Sequence, residues 1–216
     1  KYVFNIVIIL LITLAFYSCK SKKQLSNKST KNIRTSSTKD SIKSLSNLNQ
    51  IINYSEKKLN IEAPESLLGN FICDISMFSI KKDTKITHHP DFCVFNNKIF
   101  KAPINKGEVK AADIHKVFPS DHELIIIKIN PENLNLFLKY LVKESFKEDS
   151  IHRGVSISGI RLKISSERQI KRCMVNTIEI NQNKSYYLLT NLNHVNKTKG
   201  LDFLKNSVVE KTNLFL

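Results

Sequence analysis

The spacing of hydrophobic positions changes several times along the chain, and each change predicts an element. Residues 2–18, YVFNIVIILLITLAFYS, are nearly all apolar. From 20 to 61 apolar positions thin out among Ser, Lys, Asn and Thr, and Gly and Pro are missing. A weak helix is expected at 48–61. From 62 onward the texture becomes that of a folded domain. Leu67, Leu68, Phe71, Ile72, Ile75 and Phe78 recur at helical spacing within 63–83, and Pro64 suits a first turn. DFCVFN (91–96) and the β-branched run ELIIIKI (123–129) read as strands. AADIHKVF (111–118) predicts a short helix stopped by Pro119. The clearest helix lies at 130–146, with Asn130 as candidate N-cap and Pro131 at the first position. Its stripe of Leu134, Phe137, Leu138, Leu141 and Val142 is expected to be core. Strands follow near 154–164, 174–180 and 185–190, and a short helical piece at 200–206. This order predicts one α+β domain over 62–216, with mixed β-sheets and packed helices.

Composition agrees with one ordinary core: 41% of the 216 residues are hydrophobic. The formal net charge of +15 is placed unevenly. Residues 20–61 hold ten Lys/Arg against two acids, Asp40 and Glu56. Much of the basicity therefore lies outside the expected fold. That suits a solvated tail beside anionic headgroups better than a nucleic-acid face, which needs interleaved aromatics on a fold. No nucleic-acid partner is expected.

The apolar run 2–18 is short for a spanning helix, which needs about 20 residues, and fits the apolar region of an export signal. It ends at Ser18-Cys19 and resembles a bacterial lipoprotein signal, with 1–18 removed and Cys19 carrying the lipid. Phe16 and Tyr17 are larger than such signals usually carry. The alternative is an uncleaved anchor with Cys19 unmodified. Both place the chain outside a bacterial membrane, in the periplasm or at the cell surface, with residues 19–61 as a flexible tether. Cys73, Cys93 and Cys173 form an odd set without CxxC spacing, so no disulfide pairing can be read from them.

Four segments, in order, carry a family likeness. In ESLLGNFICDISMF (65–78), Glu65, Ser66, Gly69, Asn70 and Asp74 match the helix that opens the C-terminal domain of 5'-nucleotidases. DFCVFN followed by KAPINKGEVKAADIHKVFP is similar to that domain's next segment. GVSISGIRLKI (154–164) resembles a later strand with its Ser158-Gly159 step, and KSYYLLTN (184–191) the strand leading into the family's GGDG loop. The resemblance implies the fold of that domain over 62–216. It also implies a divided task, in which a metallophosphatase domain holds two divalent metals and the C-terminal domain holds the nucleotide. No catalytic residue, cofactor or metal is expected in this chain. His88, His89 and Asp91 of THHPD are too adjacent to face one metal. Divalent metals are expected only on a partner metallophosphatase chain.

Against this pattern, the ligand-holding positions look altered. Asn96 matches the family. Lys98 and Ile99 stand where two glycines would let backbone approach a ligand. Lys101 replaces an Arg and loses its planar fork. Ser120 and His122 replace a stacking Phe and an Asn. NKTKG (196–200) replaces GGDG without its acid, and Phe203 is the one candidate for a second stacking ring. Arg153, Arg161, Arg168 and Arg172 match no nucleotide-contacting Arg. The candidate substrate-binding residues are thus Asn96, Lys101, His122, Gly159 and Phe203, for a nucleotide or nucleotide-sugar. Two functions follow as expectations: the substrate-binding half of a split nucleotide or phosphate-ester hydrolase, or a non-catalytic lipoprotein module with an eroded nucleotide site.

Overall fold

The computed structural model describes residues 47–62, 65–147 and 154–216. The expected export signal, Cys19, the expected tether up to 46, Pro64 and Arg153 lie outside the described residues.

A five-stranded sheet forms the centre. Its order is β10 (Val208–Phe215), β4 (Glu123–Ile129), β9 (Tyr186–Asn191), β2 (Phe92–Asn96) and β5 (Val155–Ser158). Neighbours are antiparallel except β2 and β9, which run parallel. The run ELIIIKI is apolar almost throughout because both faces of β4 are covered. Successive side chains point to opposite faces. Ile125, Ile127 and Ile129 enter one core, while Leu124 and Ile126 enter a second. β2 divides in the same way, with Phe92 and Val94 on one side and Cys93 and Phe95 on the other.

The first core is closed by α3, counted in chain order after α1 (Leu67–Lys82) and α2 (Ala111–Val117). Helix α3 spans Pro131–Ser145 and buries Leu134, Phe137, Leu138 and Leu141, the stripe expected from its period. A three-stranded antiparallel sheet of β6 (Ile160–Ile164), β7 (Ile170–Val175) and β8 (Ile178–Glu179) adds Ile160, Cys173 and Val175 to the same core. The second core is closed by α1 through Leu68, Ile72, Cys73, Met77 and Ile80.

Two expectations change. No helix runs through 48–61; the helical assignment stops at Leu48. β1 (Ile51–Ser55) pairs antiparallel with β3 (Gly107–Lys110), and Leu59 bridges Ile104. The last stretch of the expected tether is therefore part of the folded unit. Its partner is distant in the chain, so no local period announces it. Helix α1 also turns differently. Leu68 and Ile72 of the expected face are buried, but Leu67, Phe71, Ile75 and Phe78 are 42% to 58% exposed, and the helix buries Cys73, Met77 and Ile80 instead. Gly69 sets that rotation: its bare backbone lies against the buried Ser156 of β5. The helix start is fixed by Ser66, whose hydroxyl accepts from the Gly69 N–H at 2.9 Å.

Candidate functional site

The parallel pairing of β2 and β9 brings the carboxyl ends of two central strands out at one edge of the sheet. In sheets of this kind ligands bind beyond such ends. β2 ends at Asn96. Its Oδ1 accepts from the Lys98 N–H at 3.0 Å and starts a 3-10 turn over Asn97–Ile99. The turn seats Asn97 and Ile99 inside and leaves Lys98 outside. Lys101 then reaches back, its Nζ donating to the Lys98 carbonyl at 2.6 Å. β9 ends at Asn191, whose Oδ1 accepts from the His194 N–H at 2.7 Å and caps α4 (Leu192–Lys197).

Between these ends lies an open cavity of about 620 Å³. Asn96, Lys98 and Lys101 line one side, and Asn191, Lys197 and Lys199 another. Ser120, His122, Asn193 and Lys147 also reach it. Lys147 is held by Glu144 at 3.3 Å. Among the described residues Lys98, Lys101, Lys197 and Lys199 pair with no carboxylate. The cavity is therefore strongly positive. His122 registers this: burial, then the nearby Lys101 and Lys197, hold its imidazole below the ordinary range against an opposing pull from Asp121.

Beneath the cavity runs a buried polar stack. Thr190 Oγ1 donates to the Val94 carbonyl at 2.7 Å, so it accepts from His194 Nδ1 at 3.0 Å. His194 Nε2 is then free to accept from the Tyr140 hydroxyl at 2.7 Å. This fixes a neutral ring, and burial lowers the His194 pKa to about 4. Burial, then the Glu144 carboxylate, push Tyr140 well above its ordinary range. Asn96 ties the stack to the surface, its Nδ2 donating to Glu144 at 3.5 Å. Asn96 is nearly buried and acts as a turn former and brace.

Asn96, Lys101 and His122 thus meet at one cavity. Gly159 and Phe203 do not. Gly159, with φ +76°, links β5 to β6, and a Cβ there would lie 2.6 Å from the Asp91 carbonyl. Its close approach is to the chain's own backbone. The ring of Phe203 packs against the first core. Sequence reasoning missed Asn191, Asn193, Lys147, Lys197 and Lys199. The replacement of GGDG by NKTKG loses an acid, and in the fold it also adds two cations to the cavity wall.

The residues present do not fit the divalent metals that the resemblance implies. His88 Nδ1 lies 3.0 Å from Glu210, and Asp91 accepts from the Tyr187 N–H at 2.8 Å. Both groups are used to hold loops. Among the described residues no three His, Cys, Asp or Glu side chains converge as metal ligands.

A family model described as 5'-nucleotidase, C-terminal domain, matches residues 41–206. The chain belongs to this family. Its fold is that of a 5'-nucleotidase C-terminal domain. The 5'-nucleotidase precursor of Thermus thermophilus superposes with a TM-score of 0.67 at 18% identity, over 84% of this chain and 38% of that one. The NAD nucleotidase of Haemophilus influenzae gives 0.56 at 17%, over 79% and 33%. A sulfate thiohydrolase of Thermus thermophilus gives 0.59 at 10%, over 86% and 33%. The chain thus spans less than two fifths of each of these structures, and at such identities the likeness is one of fold. No curated protein sequence matches the chain.

Proposed function

We propose that this nucleotidase C-terminal domain is the ligand-binding half of a two-part phosphoric-ester hydrolase. The metal-bearing half is a separate metallophosphatase chain, and Cys19 tethers the domain to the outer side of a bacterial membrane. The observation that carries the reading is the lysine-lined cavity at the ends of β2 and β9. It offers many donors to a phosphate, and among the described residues no metal-ligating cluster stands ready to cleave one. The tether rests on the apolar run 2–18 and the basic segment after it. A second reading, a binding module without a catalytic partner, is favoured by one observation: among the described residues no Phe, Tyr or Trp lines the cavity.

The two readings separate on mixing. Added to a metallophosphatase encoded beside it, the full chain is expected to form a complex and raise the rate of phosphate release. A mixture that elutes as two separate species, with no gain in rate, would reject the two-part reading and leave the binding module.

A further inference from the structure

We infer that the cavity takes a compact ligand with two or more phosphate groups and no aromatic base. This deepens the proposed function and rests on it for the location of the site.

Three observations converge. The first is charge. Among the described residues five lysines face the cavity against one carboxylate, Glu144, which is already engaged by Lys147. A single phosphate would leave most of these ammonium groups unmatched, whereas a diphosphate or bisphosphate would balance them.

The second is hydrogen-bonding sense. Asn191 is fully buried, and its Oδ1 is used by the His194 N–H. Asn191 lines the cavity, and its buried Nδ2 has no partner. A lysine ammonium also only donates. The cavity thus asks for acceptors, and phosphate oxygens are acceptors with full charge.

The third is the missing stacking surface. Ser120 and Asn193 stand on the cavity wall where rings could have stood. Among the described residues the rings there are two imidazoles. His122 is turned edge-on to Phe118 at 6.3 Å, and His194 is buried and bonded through both ring nitrogens. A nucleobase would find no pair of faces to lie between, and stacking is the contact that makes base binding strong.

The test is calorimetric titration of the full chain, held in detergent, at fixed ionic strength. The probes are inorganic tripolyphosphate, AMP and adenosine. Tripolyphosphate is expected to bind, AMP to bind more weakly, and adenosine not to bind. Lys101→Gln and Lys199→Gln each remove one charged donor from an exposed position and should weaken tripolyphosphate about tenfold. Arg172→Gln, on β7 away from the cavity, should leave affinity unchanged. If adenosine binds, or AMP binds more tightly than tripolyphosphate, the inference on ligand class falls while the ligand-binding reading stands. If tripolyphosphate binds but ignores both lysine variants, the site is wrong. If no phosphate compound binds, the ligand-binding reading itself fails.

Discussion

Gly69→Ala is expected to lower folding stability by roughly 2–4 kcal/mol, from over-packing and a lost buried hydrogen bond. A Cβ at this position would lie 1.6 Å from Ser156 Oγ and 2.5 Å from Ser156 Cβ, with Ser66 Oγ at 2.9 Å. Ser156 cannot simply rotate away. It is fully buried, and its hydroxyl donates to Asn97 Oδ1. Asn97 belongs to the 3-10 turn that positions Lys98 and Lys101. The substitution should therefore loosen the site as well as the helix contact. Urea denaturation measures it directly, as a lower midpoint. Ser156→Gly in the same chain should restore part of the loss by making room. An unchanged midpoint in Gly69→Ala would mean that α1 does not lie this close to β5.

Acidification from pH 6.5 to pH 4 is expected to remove about 3 kcal/mol through His194 alone. Burial holds this ring neutral in the folded chain, with a pKa of about 4. In the unfolded chain an imidazole titrates near its ordinary value of about 6.5. Between these values the unfolded chain binds a proton that the folded chain refuses. Stability is therefore complete above the unfolded pKa and falls as pH drops toward the folded one. His122, also lowered, pulls the same way. Glu210 acts in a lower window. Burial raises its carboxyl, but hydrogen bonds from Thr87 and His88 outweigh this and bring it down to about 2. Denaturation curves at several pH values in wild type and in His194→Gln isolate the effect. The variant carries no titrating group at this position, so its slope between pH 4 and 6.5 should flatten. A wild-type stability that does not change over this interval would contradict a neutral, buried His194.

Elements with a strong local period were legible in the sequence. ELIIIKI and the Leu134–Val142 stripe occupy the strand and helix expected of them because their burial follows from their own spacing. β1, β3 and β10 are not announced by the sequence, since none shows a clean strand alternation and each gains its identity from a partner distant in the chain. α1 is the helix expected, with Leu68 and Ile72 of the expected face buried and the rest of that face turned outward. Apolar residues surround much of it, so period alone cannot choose, and the choice falls to Gly69.

The site was half legible. Asn96, Lys101 and His122, each of which replaces or keeps a family position, all reach the candidate cavity. Asn191 and the lysines after it become site residues only through the parallel pairing of β9 with β2, which no local pattern shows. Phe203 offers a ring in sequence but not in the cavity. Its direction is set by the 3-10 turn Asp202–Leu204, which lays it on the core beside buried Leu204.

We propose that this chain holds a phosphate ligand but does not cleave it. The most direct measurement is phosphate release from AMP and from inorganic pyrophosphate by the purified chain with added Mn²⁺. The predicted result is release no faster than with Mn²⁺ in buffer. Turnover near about 1 s⁻¹ or above, co-purifying with the chain through successive columns, would contradict it.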